Sequence, residues 1–107
     1  MSRRYAARID KIQPAVVKAM RAIGSSVAVT SDAGKGFPDL VVGYQGRTIL
    51  MELKDPDATK RSTGSRLTPA QAAFHASWRG DTLIVVSSVD QALGAVTGPQ
   101  GTAEGKP

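Results

Sequence analysis

Apolar residues in the first quarter of the chain recur at helical spacing up to Gly24, on Val16, Val17, Met20 and Ile23. This spacing predicts an amphipathic helix that ends at Gly24. Pro14 has no backbone N–H and crowds the carbonyl four residues before it. We therefore expect the regular helix to start near Gln13 or to bend there.

The next third of the chain has the alternating and β-branched patterns that are typical of strands. Residues 26–30 alternate polar and apolar side chains, and a turn-forming run, 31–36, follows them. Two further strands are predicted at 39–42 and 47–54, separated by a gap, 43–46, that is short enough for a hairpin. The strand at 47–54 is apolar on both faces along most of its length, which predicts a central strand covered on both sides.

The second half of the chain opens with a polar, basic and glycine-containing run, 55–67, which predicts a long loop that is either functional or mobile. Thr68, Pro69 and Gln71 form the start signal of a helix that should run to Trp78 or Arg79. A buried strand at 82–87 and a short helix from Ser88 to about Val96 follow. From Thr97 onward, the glycine, proline and polar residues predict a disordered tail.

The predicted order of elements is helix, three strands, helix, strand and a short closing helix. The fold class is therefore α/β, with an αβββαβ core in which helices flank a central mixed sheet. A chain of 107 residues can bury one modest core. We expect a single domain over residues 1–96 and a disordered tail over residues 97–107.

Composition limits the chemistry that a site in this chain could use. The chain has no cysteine and one histidine, so thiolate and imidazole-rich metal sites are not expected, and any metal would be held by carboxylates. Carboxylates favour Mg²⁺ or Mn²⁺. The segment Gly34-Lys35-Gly36 lacks the spacing of a phosphate-binding loop, so no nucleotide cofactor is expected.

The charge of the chain indicates what kind of partner it binds, and its hydropathy indicates whether it enters a membrane. The net charge of +5 and the pI near 10.0 have the sign expected for a partner made of phosphates, although many basic proteins bind no nucleic acid. No apolar run of about 18 residues is present, and no apolar run follows the basic N-terminus. We therefore expect a soluble cytoplasmic protein with no membrane partner.

Three charged residues are expected to meet at one end of the predicted hairpin. Glu52 and Lys54 are two apart in one strand and so share a face, and Asp39 begins the preceding strand. Two carboxylates at the end of an apolar strand would be neutralised by a divalent cation, which is also what phosphodiester hydrolysis needs. A neighbouring lysine can hold the attacking water. The alternative is a plain cross-strand salt bridge of Lys54 with Asp39 or Glu52, and these three residues alone do not decide between the two.

Three segments together resemble the virus-type replication-repair nuclease (VRR-NUC) branch of the PD-(D/E)XK superfamily. They are Gly36-Phe37-Pro38-Asp39-Leu40, Ile49-Leu50-Met51-Glu52-Leu53-Lys54 and Leu67-Thr68-Pro69-Ala70-Gln71. Each motif is short, but their order and spacing agree over about residues 9 to 95.

The resemblance implies a restriction-endonuclease-like fold with a defined active site. In it, Asp39, Glu52 and the Leu53 carbonyl would bind Mg²⁺ or Mn²⁺. Lys54 would act on the water that attacks the phosphate. Gln71 matches a glutamine that lies close to the active site in this family. The pattern from Thr68 to Gln71 is also a complete capping box, which is the alternative role for Gln71.

The activity implied is that of a metal-dependent endonuclease selective for branched or Holliday-junction DNA, acting in recombination, replication or repair. A phage or prophage origin and a homodimer are also implied by similar stand-alone proteins. Two alternatives stay open: a catalytically inactive DNA-binding module with the same fold, and a nuclease that acts on linear DNA or RNA.

Basic residues flank the proposed site in the two loops that adjoin it. The candidates for contact with DNA phosphates are Lys35, Lys60, Arg61 and Arg66. An ordinary solvated loop is the alternative for all four.

Other residues near the motifs have a structural interpretation as well as a functional one. Asp10 stands where similar proteins often have a glutamate, and we favour a helix-start aspartate. His75 follows Gln71 by one helical turn and could face the site, but a packed or exposed histidine is the commoner outcome. Phe37, Phe74 and Trp78 are expected to be core residues rather than platforms for base stacking.

Overall fold

The computed structural model describes the backbone of residues 3–54 and 67–98, and in the first of these ranges it describes side chains from residue 12 onward. The predicted loop from 55 to 66, with Lys60, Arg61 and Arg66, lies outside the described residues. The side chain of Asp10 and most of the predicted tail, from residue 99, lie outside them as well.

The order of elements is the one that the hydrophobic pattern predicts. Helices α1, α2 and α3 and strands β1 to β4 follow one another along the chain as α1 Arg3–Ala22, β1 Ser26–Val29, β2 Leu40–Tyr44, β3 Arg47–Leu53, α2 Pro69–Ser77, β4 Thr82–Val86 and α3 Val89–Thr97. The αβββαβ order with a closing helix is confirmed. No described helix has the length and the apolar character that crossing a membrane requires.

The four strands form one mixed sheet in the order β1-β2-β3-β4. Strand β2 pairs antiparallel with β1 and with β3, whereas β3 and β4 run parallel. The parallel pair is connected through α2, as a parallel connection requires a crossover. Strand β3 is central and almost fully buried, which agrees with its apolar residues on both faces.

The core lies between one face of the sheet and helices α1 and α3. In β3, the alternate residues Ile49, Met51 and Leu53 point to this face, and each is at most 1% exposed. Strands β2 and β4 add Leu40, Val42 and Val86 to the core, and the helices add chiefly Val16, Met20, Ala92 and Val96. Glu52 alternates with Met51 and Leu53, so it points to the opposite face, where α2 lies.

The start of α1 is the largest departure from the prediction. The helix begins at Arg3 and includes Pro14, so a start near Gln13 is wrong. Proline costs one backbone hydrogen bond and some crowding, but Pro14 is exposed, and alanine, arginine and lysine, which favour helices, precede it. The C-terminal end agrees better, because Gly24 adopts the left-handed φ of 93° that a helix stop favours.

The hairpin between β2 and β3 is tighter than its sequence predicts. Strand β2 starts at Leu40 and runs through Gly43 to Tyr44, so its predicted range of 39–42 is displaced. Only Gln45 and Gly46 remain in the turn, with φ of 50° and 84°. Two residues with positive φ give the turn whose twist matches that of the flanking strands.

The aromatic residues do not join the core, which corrects the expectation for Phe37, Phe74 and Trp78. They form their own cluster, in which the Phe74 ring centroid lies 5.3 Å from that of Phe37 and 5.7 Å from that of Trp78. Helix α2 has no fully buried residue. Because no further layer formed by the described residues covers α2, the aromatic side chains attach it to its neighbours but stay half-exposed.

Candidate active site

Asp39 lies just before β2, at the point where the hairpin brings it beside the end of β3. Its carboxylate Oδ2 accepts a hydrogen bond of 2.8 Å from the backbone N–H of Leu53, and its own N–H donates to the Met51 carbonyl at 3.0 Å. Two backbone contacts from one strand therefore fix Asp39. The sequence predicted the proximity to Glu52, but nothing in it indicated the hydrogen bond to Leu53.

Glu52 is a buried carboxylate near the end of the central strand β3, and 3% of it is exposed. Burial, and then the charge of Asp39, raise the pKa of Glu52 to about 8. Burial also raises the pKa of Asp39, although the Leu53 N–H opposes that rise. The two carboxylates therefore resist being charged together, and a positive charge between them would relieve the repulsion.

Among the described residues, Lys54 brings a positive charge to this pair, through a long salt bridge with Glu52. Its ammonium Nζ lies 3.7 Å from Glu52 Oε2 and donates a shorter hydrogen bond of 2.9 Å to the side-chain oxygen of Gln71. Lys54 is 4% exposed. Its charge lowers the pKa of both carboxyl groups, but burial has the larger effect on each.

Gln71 links the lysine to the glutamate. Its side-chain Nε2 donates a 2.8 Å hydrogen bond to Glu52 Oε2, while its Oε1 accepts from Lys54. The same Oε1 accepts from the backbone N–H of Thr68 at 2.8 Å, and Thr68 Oγ1 accepts from the Gln71 N–H at 3.2 Å. The capping box is confirmed, and it also holds the amide of Gln71 against Glu52 and Lys54.

His75 lies near Lys54 and Gln71, whereas a packed or exposed histidine away from them was the commoner expectation. It follows Gln71 by one turn of α2, so the two side chains project from the same side of the helix. Burial, and then the charge of Lys54, lower the pKa of His75. Its Nε2 is buried without a hydrogen-bond partner among the described residues. Helical spacing was the signal that could have placed it here.

Of the four basic candidates for DNA contact, Lys35 alone lies within the described residues. It is exposed, in the turn between β1 and β2, with a positive φ of 58°. Gly36, beside it, lies so close to the first turn of α2 that a Cβ atom would collide with the Ala70 carbonyl. This turn therefore packs against the helix that carries Gln71.

The donor set fits a hard divalent cation held in part by water or substrate. Within the described residues no group of three or more acidic, histidine or cysteine side chains could hold a metal. The two carboxylates are adjacent, however, and Glu52 Oε1 is buried without a hydrogen-bond partner in the described part of the chain. Magnesium commonly uses one or two carboxylates and completes its shell with water and phosphate.

The comparisons with known proteins agree with the fold and with the resemblance. A solved structure of a VRR_NUC domain is similar to this chain, with a TM-score of 0.64 and 27% sequence identity. The similarity covers 85% of this chain and 96% of that structure. No protein-family model matches the chain, and no curated protein matches it. The match supports both the α/β nuclease fold and the resemblance stated from the motifs.

Proposed function

We propose that this chain, which is similar in structure to a VRR_NUC domain, is a metal-dependent endonuclease of the PD-(D/E)XK type that hydrolyses DNA. Asp39, Glu52 and Lys54 form the proposed catalytic core, and Gln71 orients it. The observation that carries the proposal is the meeting of a buried Glu52 with Asp39 and Lys54, in which Gln71 is hydrogen-bonded to both Glu52 and Lys54. Burial raises the pKa of both carboxyl groups. The raised pKa of Glu52 means that the site disfavours two charged carboxylates in spite of Lys54, and a bound cation would remove that penalty.

We assign the metal to Asp39, Glu52 and the Leu53 carbonyl. The Leu53 N–H points to Asp39, and in a strand the carbonyl of a residue points to the same side as its N–H. A bound Mg²⁺ or Mn²⁺ supplies a water of lowered pKa and offsets charge on the phosphoryl oxygens. The protein's own contribution is to hold the carboxylates at the end of a rigid, buried strand.

Lys54 is assigned to the attacking water and to the charge that develops on the phosphate. Its Nζ has three N–H donors, and one of them is directed to Gln71. We assign the remaining donors to the attacking water or to a phosphoryl oxygen. Gln71 fixes the Nζ position, and the helix cap at Thr68 fixes Gln71 in turn.

Branched or Holliday-junction DNA is the substrate that we propose, with a homodimer as the active form and a role in recombination, replication or repair. The support for these finer points is the resemblance of the motifs, together with the net charge of +5. A two-fold dimer would present two active sites to a two-fold junction. Lys35, Lys60, Arg61 and Arg66 are the proposed phosphate contacts.

The test is a cleavage assay with labelled linear duplex, flapped, four-way-junction and RNA substrates, each with EDTA, Mg²⁺ or Mn²⁺. We expect metal-dependent cleavage with preference for the branched DNA, and no cleavage by Asp39→Asn. Binding without cleavage under every condition would favour the inactive module. Equal cleavage of linear DNA, or cleavage of RNA alone, would favour the other alternative.

A further inference from the structure

An open groove lies between α1 and the outer strand of the sheet, on the side of the sheet that carries the core. Its volume is about 510 Å³. The lining combines apolar and basic side chains with one uncharged polar side chain, and its residues are Gln13, Pro14, Val17, Lys18, Arg21 and Val29. None of these residues takes part in the carboxylate site, so the groove is a separate feature of the domain.

The strand beside this groove has an outer edge that no other described strand covers. Strand β1 is at one end of the sheet order. The Thr30 N–H donates inward to the Asp39 carbonyl, and alternate residues of an antiparallel strand face the partner. Ala28 therefore also faces β2, while Val27 and Val29 direct their backbone groups outward. Arg21 confirms this direction, because its guanidinium donates to the Val27 carbonyl at 3.3 Å.

The side chain of Val29 adds an apolar contact at the end of this edge. It pairs with buried Leu40 in the register, so it projects from the core side of the sheet, yet it is 51% exposed. Natural sheets protect their edges, because unpaired backbone groups beside an apolar side chain attract a further strand. An edge of this kind, next to a groove that can accept a side chain, is the arrangement used to bind extended peptides.

We infer that the edge of β1 and this groove bind an extended acidic peptide segment of a partner protein, which adds as a fifth strand. An apolar side chain of that segment would contact Pro14, Val17 and Val29. Flanking acidic side chains would meet Lys18 and Arg21, which are exposed on α1. The basic pair favours this occupant over a second copy of the chain, because pairing of two β1 edges would bring the same positive charges together.

Nucleic acid is less suited to this groove than a peptide. Phosphates would be attracted to Lys18 and Arg21, but they offer nothing to the outward backbone N–H and C=O groups of Val29 and no apolar group for Pro14 and Val17. A peptide strand satisfies all three kinds of group at once.

The binding experiment uses the full chain and a fluorescein-labelled seven-residue peptide that alternates glutamate with valine or leucine. Fluorescence anisotropy should show saturable binding, and Lys18→Glu should weaken it by about tenfold or more. The double variant Lys18→Glu with Arg21→Glu should instead prefer the same peptide with lysine in place of glutamate. Arg79→Glu, the same charge change on another exposed arginine, should leave peptide binding unchanged.

Two further arms distinguish strand addition from simple charge attraction. Two peptides are N-methylated on alternate residues, one on the odd and one on the even positions, so that each lacks half of its backbone N–H donors. Only the peptide that lacks the donors facing β1 should lose binding. Val29→Lys should also lose binding while its thermal unfolding, followed by the fluorescence of Trp78, stays close to the wild type. Equal binding of both methylated peptides would overturn the inference, as would the absence of saturable binding to the wild type.

The other occupants give different outcomes, each of which would also overturn the inference. If the protein is a dimer in sedimentation and Val29→Lys makes it a monomer without any peptide binding, the edge is an interface between two copies. If Lys18→Glu weakens junction-DNA binding as much as it weakens peptide binding, the groove is part of the DNA surface. Cleavage activity is expected to be the same in Lys18→Glu and wild type, so this test is independent of the proposed function.

Discussion

Gln71 donates to Glu52 Oε2 at 2.8 Å, so a residue of the α2 helix cap is also a member of the carboxylate site. The two roles use different atoms of one amide. Its oxygen accepts hydrogen bonds from Thr68 and Lys54, and its nitrogen donates to Glu52. A substitution that keeps the oxygen but replaces the nitrogen separates the two roles.

Gln71→Glu is that substitution. Glutamate also completes a capping box, so the free energy of unfolding should change little. The new carboxylate loses the donor to Glu52 and adds a like charge beside it, so single-turnover cleavage should fall by roughly tenfold to a hundredfold. Thr68→Ala is the control, with a stability loss of about 1 kcal/mol and nearly unchanged cleavage. If Gln71→Glu cleaves like the wild type, the amide is only a helix cap.

The pH dependence of stability should report the protonated state of Glu52. Its carboxyl titrates near 4.5 when unconstrained and at about 8 in the folded protein. The folded, metal-free chain therefore holds a proton that the unfolded chain releases over this interval. Its stability should be fully present below the lower value, fall as the pH rises and level off above about 8. The raised pKa of Asp39 acts in the same direction.

Thermal unfolding with EDTA, between about pH 5 and pH 8, measures this effect. We expect the midpoint to fall by several degrees, and Glu52→Gln to flatten the curve. Added Mn²⁺ should stabilise the wild type increasingly as the pH rises, because the metal displaces that proton. A flat wild-type curve in EDTA would show that Glu52 is charged in the folded protein and would remove the main electrostatic support for the site.

The turn before Asp39 allows a matched comparison of two glycines. Gly34 and Gly36 have positive φ of 77° and 82°, but only at Gly36 would a Cβ collide with the Ala70 carbonyl. Gly34→Ala should destabilise the protein by about 1–2 kcal/mol, which is the cost of the left-handed backbone. Gly36→Ala should cost at least about 1 kcal/mol more and also reduce cleavage, since it separates Asp39 from α2. Equal losses from urea unfolding would contradict this packing.

DNA binding should depend on the basic loop residues in a way that salt concentration reveals. Replacing Lys60, Arg61 and Arg66 by alanine should weaken binding to every DNA sequence. It should also make binding less dependent on salt, because the negative slope of log affinity against log salt should become smaller in magnitude by about 2 to 3. The matched control removes three other positive charges, by changing Lys18, Arg21 and Arg79 to alanine, and should leave the slope close to that of the wild type. Equal slopes for the two triple variants would remove the loop from the interface.

The sequence was most informative where a simple period fixes the geometry. Period-two alternation put Glu52 and Lys54 on one face, and the hairpin put Asp39 beside them, so the proximity of these three residues was predictable without coordinates. The start of α1 was not, because the effect of Pro14 depends on whether its neighbours favour a helix strongly enough to offset one lost hydrogen bond.

Contacts between distant elements were beyond prediction from local patterns. Gln71 reaches Glu52 because the crossover through α2 returns that helix to the face opposite the core, which is a property of the whole topology. For the same reason, Phe74 and Trp78 were expected in the core, although only the layer arrangement decides which face of a helix is covered.

The central claim is that Glu52 binds the metal and that Lys54 acts on the water, and one pair of variants tests it most directly. The measurement is single-turnover cleavage of a four-way junction by Lys54→Ala, alongside Glu52→Gln, with metal affinity determined by calorimetry for each. Lys54→Ala should bind Mn²⁺ at least as tightly as the wild type and cleave about a hundredfold or more slowly. Glu52→Gln should bind the metal weakly and recover part of its activity at high Mn²⁺. Cleavage by Lys54→Ala at the wild-type rate would contradict the account, because the lysine would then be only a charge partner of the carboxylates.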